Sequence, residues 1–376
     1  MGESEILGDH VMNHKGSRVG KRAQLAQMRR RALAWKNMAT SATMRRVDES
    51  WVPQPHAGHF IVTYKCNLKC KGCDSWKVSK HNDLSAAEWR SVFRQMPHLD
   101  LVKILGGEPF VRRDIVEILS AIREEVDPYI LQLTTNGMLE QRLVEALHAM
   151  AWPGLQLRIS VDGLPDTHDK MRGMDGSWAI VDRTVNRIAD LKEQYGFSFG
   201  INFAVTDSSI DDLPKMREYA ASVGADLIPG LVVTPFLVGT TPPEEETPRI
   251  VMISDKQRAL HALIHQEVGT KSQLPFLDHL YSRWVTKRTF SKQLFDGAHK
   301  FHCRELQDLV FITPNGDLVR CSLDHKPIGN LREQTFQEIW NGPRIQRARQ
   351  VVKDCPGCLQ ASVQILSRLY GGCVLS

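Results

Sequence analysis

Between His59 and Val233, six short β-rich runs alternate with five helix-period runs, and this alternation constrains the fold of the 376-residue chain more than any other feature. The strand candidates are Phe60–Tyr64, Leu101–Leu105, Ile130–Thr134, Leu155–Val161, Phe199–Val205 and Leu227–Val233. Between them lie helical stretches at Ser85–Gln95, Asp114–Val126, Leu139–Met150, Ala179–Tyr195 and Asp212–Val223. Repeated strand–helix units predict a parallel sheet with right-handed crossovers. Six units suit either an open doubly wound sheet or part of a barrel, and periodicity alone does not choose.

The flanks have a different texture. From His10 to Val47 there are ten basic residues and no acidic one, while the rest of the chain is nearly neutral. Leu25, Met28, Ala32 and Trp35 fall at helical spacing there, which predicts a basic amphipathic helix within residues 1–55. Such a helix packs on the body with a solvated face, or meets a membrane surface or an acidic partner. Nucleic acid is not expected, because no binding module accompanies the charge. The alternating region is assigned to residues 56–240 and ends near the Pro- and Glu-rich stretch at 240–248. Residues 241–300 read as a linker with helices. Residues 301–376 form a small α+β unit, with a hairpin around Pro314-Asn315-Gly316 and short helices at Thr335–Trp340 and Arg344–Val351. No apolar run reaches the ~18–20 residues of a membrane span, and no secretory signal is expected. The chain reads as a soluble, cytoplasmic protein, with the basic helix able to hold it at a membrane.

Eight cysteines are too few for a disulfide scaffold, and they cluster. Cys66, Cys70 and Cys73 fall just after the first strand, where parallel α/β folds place their chemistry. Three thiolates without a nearby histidine make a poor tetrahedral zinc site. On a four-iron cluster they leave one iron open for a ligand. Cys303, Cys321, Cys355 and Cys358 make a four-ligand set, which alone would also suit structural zinc.

The spacing Cys66-x3-Cys70-x2-Cys73 resembles the signature of the radical S-adenosylmethionine (radical SAM) enzymes, and further motifs follow in family order over about residues 58–235. Gly106-Gly107-Glu108-Pro109 ends the second strand candidate. Asn136 lies in Thr135-Asn136-Gly137 after the third, and Ser160 and Asp162 end the fourth. The resemblance implies that Gly106, Gly107, Glu108 and Pro109 hold the methionine amino group, and that Arg172 meets the methionine carboxylate. Asn136, Ser160, Asp162, Asn202 and Val232 fall at strand ends around the cofactor, with Ser160 and Asp162 on the ribose side. A guanidinium fork and a carboxylate suit those partners. Gly72 departs from the family, which often has an aromatic residue there for the adenine.

The second cysteine set, with Gly316 ahead of Cys321 and Cys355-x2-Cys358 behind, resembles the C-terminal twitch domain, the shorter relative of the SPASM domain. Together the resemblances imply a partial (β/α)6 TIM-type barrel with a small α+β auxiliary domain. They imply two [4Fe-4S] clusters, S-adenosylmethionine, and a reductant such as flavodoxin or ferredoxin. The expected reaction is removal of a hydrogen atom by a 5′-deoxyadenosyl radical, with oxidation of a small sugar- or cyclitol-like substrate and the auxiliary cluster as electron acceptor. Two alternatives stand beside it, a redox-neutral epimerase using Cys373 as hydrogen donor and a maturase of a ribosomal peptide. The non-enzyme alternative is an iron- or zinc-binding scaffold. Asp74, Asp207, Asp226 and Glu305 are base candidates by residue type only.

Overall fold

In a computed structural model of the chain, residues 21–48, 51–231, 233–234, 249–250 and 303–355, with Ser367 and Tyr370, are described. The alternating region folds as its pattern predicts, with one short and largely polar helix, Pro165–Arg172, that the five predicted helical stretches do not include. Strands β1 (Ala57–Ile61), β2 (Leu101–Leu105), β3 (Ile130–Thr135), β4 (Leu155–Ser160), β5 (Ser198–Val205) and β6 (Asp226–Leu231) lie side by side in sequence order, all parallel. The crossovers run through α2 (Ala86–Arg94), α3 (Ile115–Glu125), α4 (Glu140–Met150), α5 (Pro165–Arg172), α6 (Ser177–Tyr195) and α7 (Leu213–Ser222). The structure is the partial barrel type.

Each central strand alternates, because successive side chains point to opposite faces. On β3, Leu131, Leu133 and Thr135 are buried and Ile130, Gln132 and Thr134 are not; on β4, Leu155, Leu157 and Ile159 are buried and Gln156, Arg158 and Ser160 are not. The apolar set packs under the helices with Ile118, Leu119, Ile122, Leu147, Val185 and Ile188. The other set, much of it polar, lines the concave face. At ~25 cal/mol per Å² of apolar surface buried, reversing this register would cost far more than the fold's net stability.

The C-terminal unit extends the same sheet. Strand β9 (Leu309–Ile312) pairs parallel with β1, and β10 (Asp317–Cys321) and β11 (Asp324–Asn330) continue antiparallel, giving the order β11-β10-β9-β1-β2-β3-β4-β5-β6. A two-stranded ribbon, β7 (Val233–Thr234) with β8 (Arg249–Ile250), stands apart from it. The sequence pattern missed β11, whose Pro327 and Gly329 dilute the strand signal. The hairpin tip sits on Leu84, whose N–H donates to Pro314 O at 2.7 Å. Helices α8 (Phe336–Asn341) and α9 (Pro343–Lys353) bury Phe336, Ile339, Trp340 and Ile345 in the same core as the barrel. A capping box of Thr335 and Glu338 starts α8.

The basic helix α1 (Lys21–Val47) is present, but its buried face is not the predicted apolar stripe. Leu25 and Met28 are exposed, while Ala34 and Ser41 are buried. Polar partners decide the orientation. Arg30 pairs with Asp127, Gln27 donates to Tyr129 O at 2.8 Å, Asn37 donates to Asp100 at 3.0 Å, and Ser41 bonds Asp308. Those acceptors all precede strands, so α1 lies across the N-terminal ends of β2, β3 and β9. No described helix is long and apolar enough to cross a membrane.

Candidate active site

The site lies at the opposite, C-terminal ends of the strands. β1 runs out through Val62, Thr63 and Tyr64 into the loop of Cys66, Cys70 and Cys73. Gly106 and Gly107 press against this exit. Gly107 N–H donates to Thr63 O and Glu108 N–H to Lys65 O, both at 2.8 Å. A Cβ at position 107 would meet Tyr64 O at 2.5 Å and come closer still to Lys65 O; one at 106 would meet Thr63 O at 2.6 Å. The glycines are thus required by chain-to-chain contact.

Glu108 is fully buried. Its carboxylate accepts from Thr135 Oγ1 at 2.8 Å, from Asn136 N–H at 2.7 Å and from Phe110 N–H at 3.1 Å. Burial pushes its pKa up, against the pull of these donors and of Arg172. Glu108 therefore braces the ends of β2 and β3. Asn136, held by that brace, donates to Asn67 Oδ1 at 2.8 Å and points its amide at Cys66 Sγ, 3.9 Å away. Pro109 starts the 3-10 turn that follows Glu108.

Arg172 closes the other side. It is the last residue of α5, and Gly173 ends that helix in the left-handed conformation at φ 67°. Its Nε meets Asp162 Oδ2 at 2.9 Å and its Nη1 lies 3.8 Å from Cys70 Sγ. Asp162 also accepts from Ala204 N–H at 3.2 Å, while its own N–H donates to His168 Nδ1 at 3.2 Å. Ser160 and Asn202 face each other in register on β4 and β5 at the rim of the concave face. Glu108, Asn136, Asp162 and Arg172 thus converge with the three cysteines. Val232 lies outside the described residues.

The loop suits an anionic metal–sulfur group. Burial pushes the Cys66 thiol up to about 11 and raises that of Cys73, and the three sulfurs lie within electrostatic reach of one another. N–H groups of Leu68, Asn136 and Arg172 are aimed at the sulfurs, which is what thiolate ligands need. Among the described residues no three His, Cys, Asp or Glu converge on a single ion. Three thiolates that each hold a different iron of one cluster do not have to converge so tightly. In the C-terminal unit Cys303, Cys321 and Cys355 are half-buried, while Cys358 and Cys373 lie outside the described residues.

Two sequence models match this arrangement. That of the radical SAM superfamily matches residues 60–218, from β1 to α7, and that of the SPASM iron–sulfur cluster-binding domain matches residues 303–359. The chain belongs to the radical SAM superfamily. As a radical SAM enzyme with a SPASM domain it binds S-adenosylmethionine and [4Fe-4S] clusters, the auxiliary one in the SPASM domain. An AdoMet-dependent heme synthase of Methanosarcina barkeri is 28% identical over 302 residues, spanning 76% of this chain and 82% of that protein. The PqqA peptide cyclase of Gluconobacter oxydans is 25% identical, spanning 74% and 75%. Among solved structures, Streptococcus suis SuiB bound to its precursor peptide SuiA superposes with a TM-score of 0.59 at 16% identity, over 96% of this chain and 81% of that one. That likeness concerns the fold.

Sequence reasoning missed several residues of the site. Asn67 and Thr135 join the brace. Trp76 donates to Cys70 O at 3.4 Å, with Lys69 and Lys77 over its ring at 6.0 and 5.4 Å. Arg112 donates to Val62 O and Leu84 O at 2.8 and 2.7 Å, tying the turn after Glu108 to β1. The motif's interval of three after Cys73 could have pointed to Trp76. Asn67 and Thr135 lie inside the motifs and were given no role of their own, while nothing local marks Arg112. Of the base candidates, Asp74 pairs with Lys77 at 2.6 Å, Asp226 stands at the start of β6, and Glu305 is fully buried before β9.

Proposed function

We propose that the enzyme oxidises a small-molecule substrate at carbon, with the SPASM domain receiving the electron that the substrate radical loses. The convergence of the cysteine loop with Glu108, Asn136, Asp162 and Arg172 carries this reading. A cluster on Cys66, Cys70 and Cys73 supplies, when bound, the electron that cleaves S-adenosylmethionine to a hydrogen-abstracting radical. The chain's own residues orient and shield. Glu108 fixes Asn136 beside Cys66. Asp162 holds the Arg172 guanidinium beside Cys70, where it would meet a carboxylate of the cofactor. Ser160, Asn202 and Val232 are assigned to the rest of the cofactor. Cys303, Cys321, Cys355 and Cys358 would hold the auxiliary cluster, and its electron-accepting role separates oxidation from epimerisation. Cys373 is the donor an epimerase would use.

Anaerobic turnover with candidate substrates, counting reductant consumed per product, tests this reading. Net two-electron oxidation of substrate supports it. A redox-neutral product that incorporates solvent hydrogen and is lost in Cys373→Ala contradicts it. A peptide substrate is the second reading, favoured by the likeness to a peptide cyclase.

Two partner surfaces follow. Lys65, Lys69, Lys71, Lys77 and Lys80 are exposed around the cysteine loop, which suits an acidic reductant such as flavodoxin or ferredoxin. On α1, exposed Leu25, Met28 and Leu33 stand beside Arg22, Arg29 and Lys36, which suits an anionic lipid surface.

A further inference from the structure

The concave face beneath the site carries an unusual belt. In register across five strands lie His59, Lys103, Gln132, Gln156 and Ser198. One step nearer the site lie Thr134, Arg158, Gly200 and Asp226. Side chains two residues apart on a strand are about 6.6 Å apart, so Arg158 sits one layer beneath Ser160 and Asn202. Polar residues facing a sheet interior are costly unless they find hydrogen-bond partners, within the protein or on a ligand.

Among the described residues, Lys103 and Arg158 are the cations of these two layers. Lys103 has no hydrogen bond or ion pair among the described residues, yet it lies mid-strand at the centre of the sheet. Burial, with the charge of Arg158, pulls its pKa down to about 8, so it remains a cation at neutral pH. Arg158 is held differently. Its guanidinium lies across β5 directly over Gly200, where a Cβ would collide with Nη1. Among the described residues that Nη1 is buried without a hydrogen-bond partner, and Nη2 makes only a long contact of 3.4 Å to Gln156. Asp226 supports the guanidinium electrostatically from β6. Two cations therefore face one carboxylate, and a donor aimed into the face is unused. Both side chains keep part of their surface accessible, so they line a space rather than fill the core.

We propose that Lys103 and Arg158 form the floor of the substrate pocket and bind an oxyanion of the substrate, carboxylate or phosphate, beneath the cofactor. The guanidinium offers the planar fork, Lys103 a second charge, and Gly200 the space that lets the fork lie flat. A substrate anchored by its anionic end presents its carbon skeleton upward to Ser160 and Asn202. The inference rests on the radical reading for the ligand's identity as substrate, but the cation floor is testable without turnover.

The test is thermal unfolding of the anaerobically reconstituted protein, titrated with succinate or with inorganic phosphate at constant ionic strength. A saturable rise in Tm with one of them is expected, and which one responds separates carboxylate from phosphate. In Arg158→Gln and Gly200→Ala the midpoint concentration should rise at least about tenfold. Gly200→Ala keeps both charges, so it reports the placement of the guanidinium alone. Lys103→Met should abolish the response and raise the oxyanion-free Tm by about 2–4 °C, because it removes a partly buried charge that has no hydrogen bond or ion pair among the described residues. No saturable response to either oxyanion, an unchanged midpoint in both other variants, or a Tm of Lys103→Met no higher than wild type would overturn the proposal. If wild type responds to the oxyanion but makes no 5′-deoxyadenosine with any substrate, the radical reading fails and the cation floor stands.

Discussion

Arg172 holds Asp162 at 2.9 Å through Nε while its Nη1 reaches to 3.8 Å from the Cys70 sulfur. One guanidinium thereby couples the end of β4 to the cysteine loop. Lysine keeps the charge but cannot serve both partners at fixed geometry. Arg172→Lys should lower the rate of 5′-deoxyadenosine formation by roughly 10- to 100-fold while keeping the fold. Stopped-time assays with far-UV circular dichroism check this. Activity within about twofold of wild type would show that the fork is dispensable.

Gly107 has no room for a side chain, since a Cβ would press on the carbonyls of Tyr64 and Lys65. Backbone cannot yield as a side-chain tip can. Gly107→Ala should cost about 1–3 kcal/mol and displace the exit of β1, so that reconstituted iron also falls. Urea unfolding and iron analysis on the same preparation separate the two effects. Unchanged values of both would contradict the close packing of positions 64–65 and 107.

Asp100 gives a pH signature. It lies before β2, hydrogen-bonded to Asn37 at 3.0 Å and to Tyr370 at 3.5 Å, with His56 Nδ1 at 3.7 Å. Burial raises its pKa from 3.8 to about 7, against those donors. Between about pH 4 and pH 7 the folded chain keeps a proton that the unfolded chain has released. Stability from this group is therefore greatest at low pH and falls as pH rises through that window, by on the order of a few kcal/mol. Burial lowers the pKa of His56, which works in the opposite sense, so the comparison with Asp100→Asn isolates the carboxylate. The variant should lose the fall between about pH 4 and pH 7 that wild type shows in its urea midpoint. Equal pH slopes would mean that Asp100 is solvated.

Much of this architecture was legible in the sequence, and the exceptions have physical causes. The six strands and the crossovers follow from periodicity, since buried parallel strands and amphipathic helices have different repeats. The cysteine loop stood out by its spacing, whereas Glu108 and Arg172 were pointed to only by the family resemblance; their roles remain proposals, though both side chains lie beside that loop. The pairing of β9 with β1 was not, because nothing local in residues 309–312 records a partner some 250 positions away. The buried face of α1 was misread for a related reason. Its apolar spacing pointed to Leu25 and Met28, but Asp100, Asp127 and Asp308, distant in sequence, hold the helix by its polar residues. Nothing local sets Lys103 and Arg158 apart within their strands; only the register brings them to one face.

The C-terminal cysteines make a separate prediction. Cys321 ends β10, and with Cys303, Cys355 and Cys358 it is assigned to the auxiliary cluster. Cys321→Ala should lower reconstituted iron from about eight to about four per chain. It should also abolish substrate oxidation while 5′-deoxyadenosine is still formed. Full iron in the variant would remove Cys321 from the ligand set.

The most direct test of the account is an anaerobic assay of the reconstituted enzyme with S-adenosylmethionine and dithionite, following 5′-deoxyadenosine. Wild type should form it, and the Cys66/Cys70/Cys73→Ala variant, still folded and still carrying the C-terminal cluster, should not. Equal amounts from both proteins, or none from wild type with full iron and a range of substrates, would contradict radical chemistry at this loop.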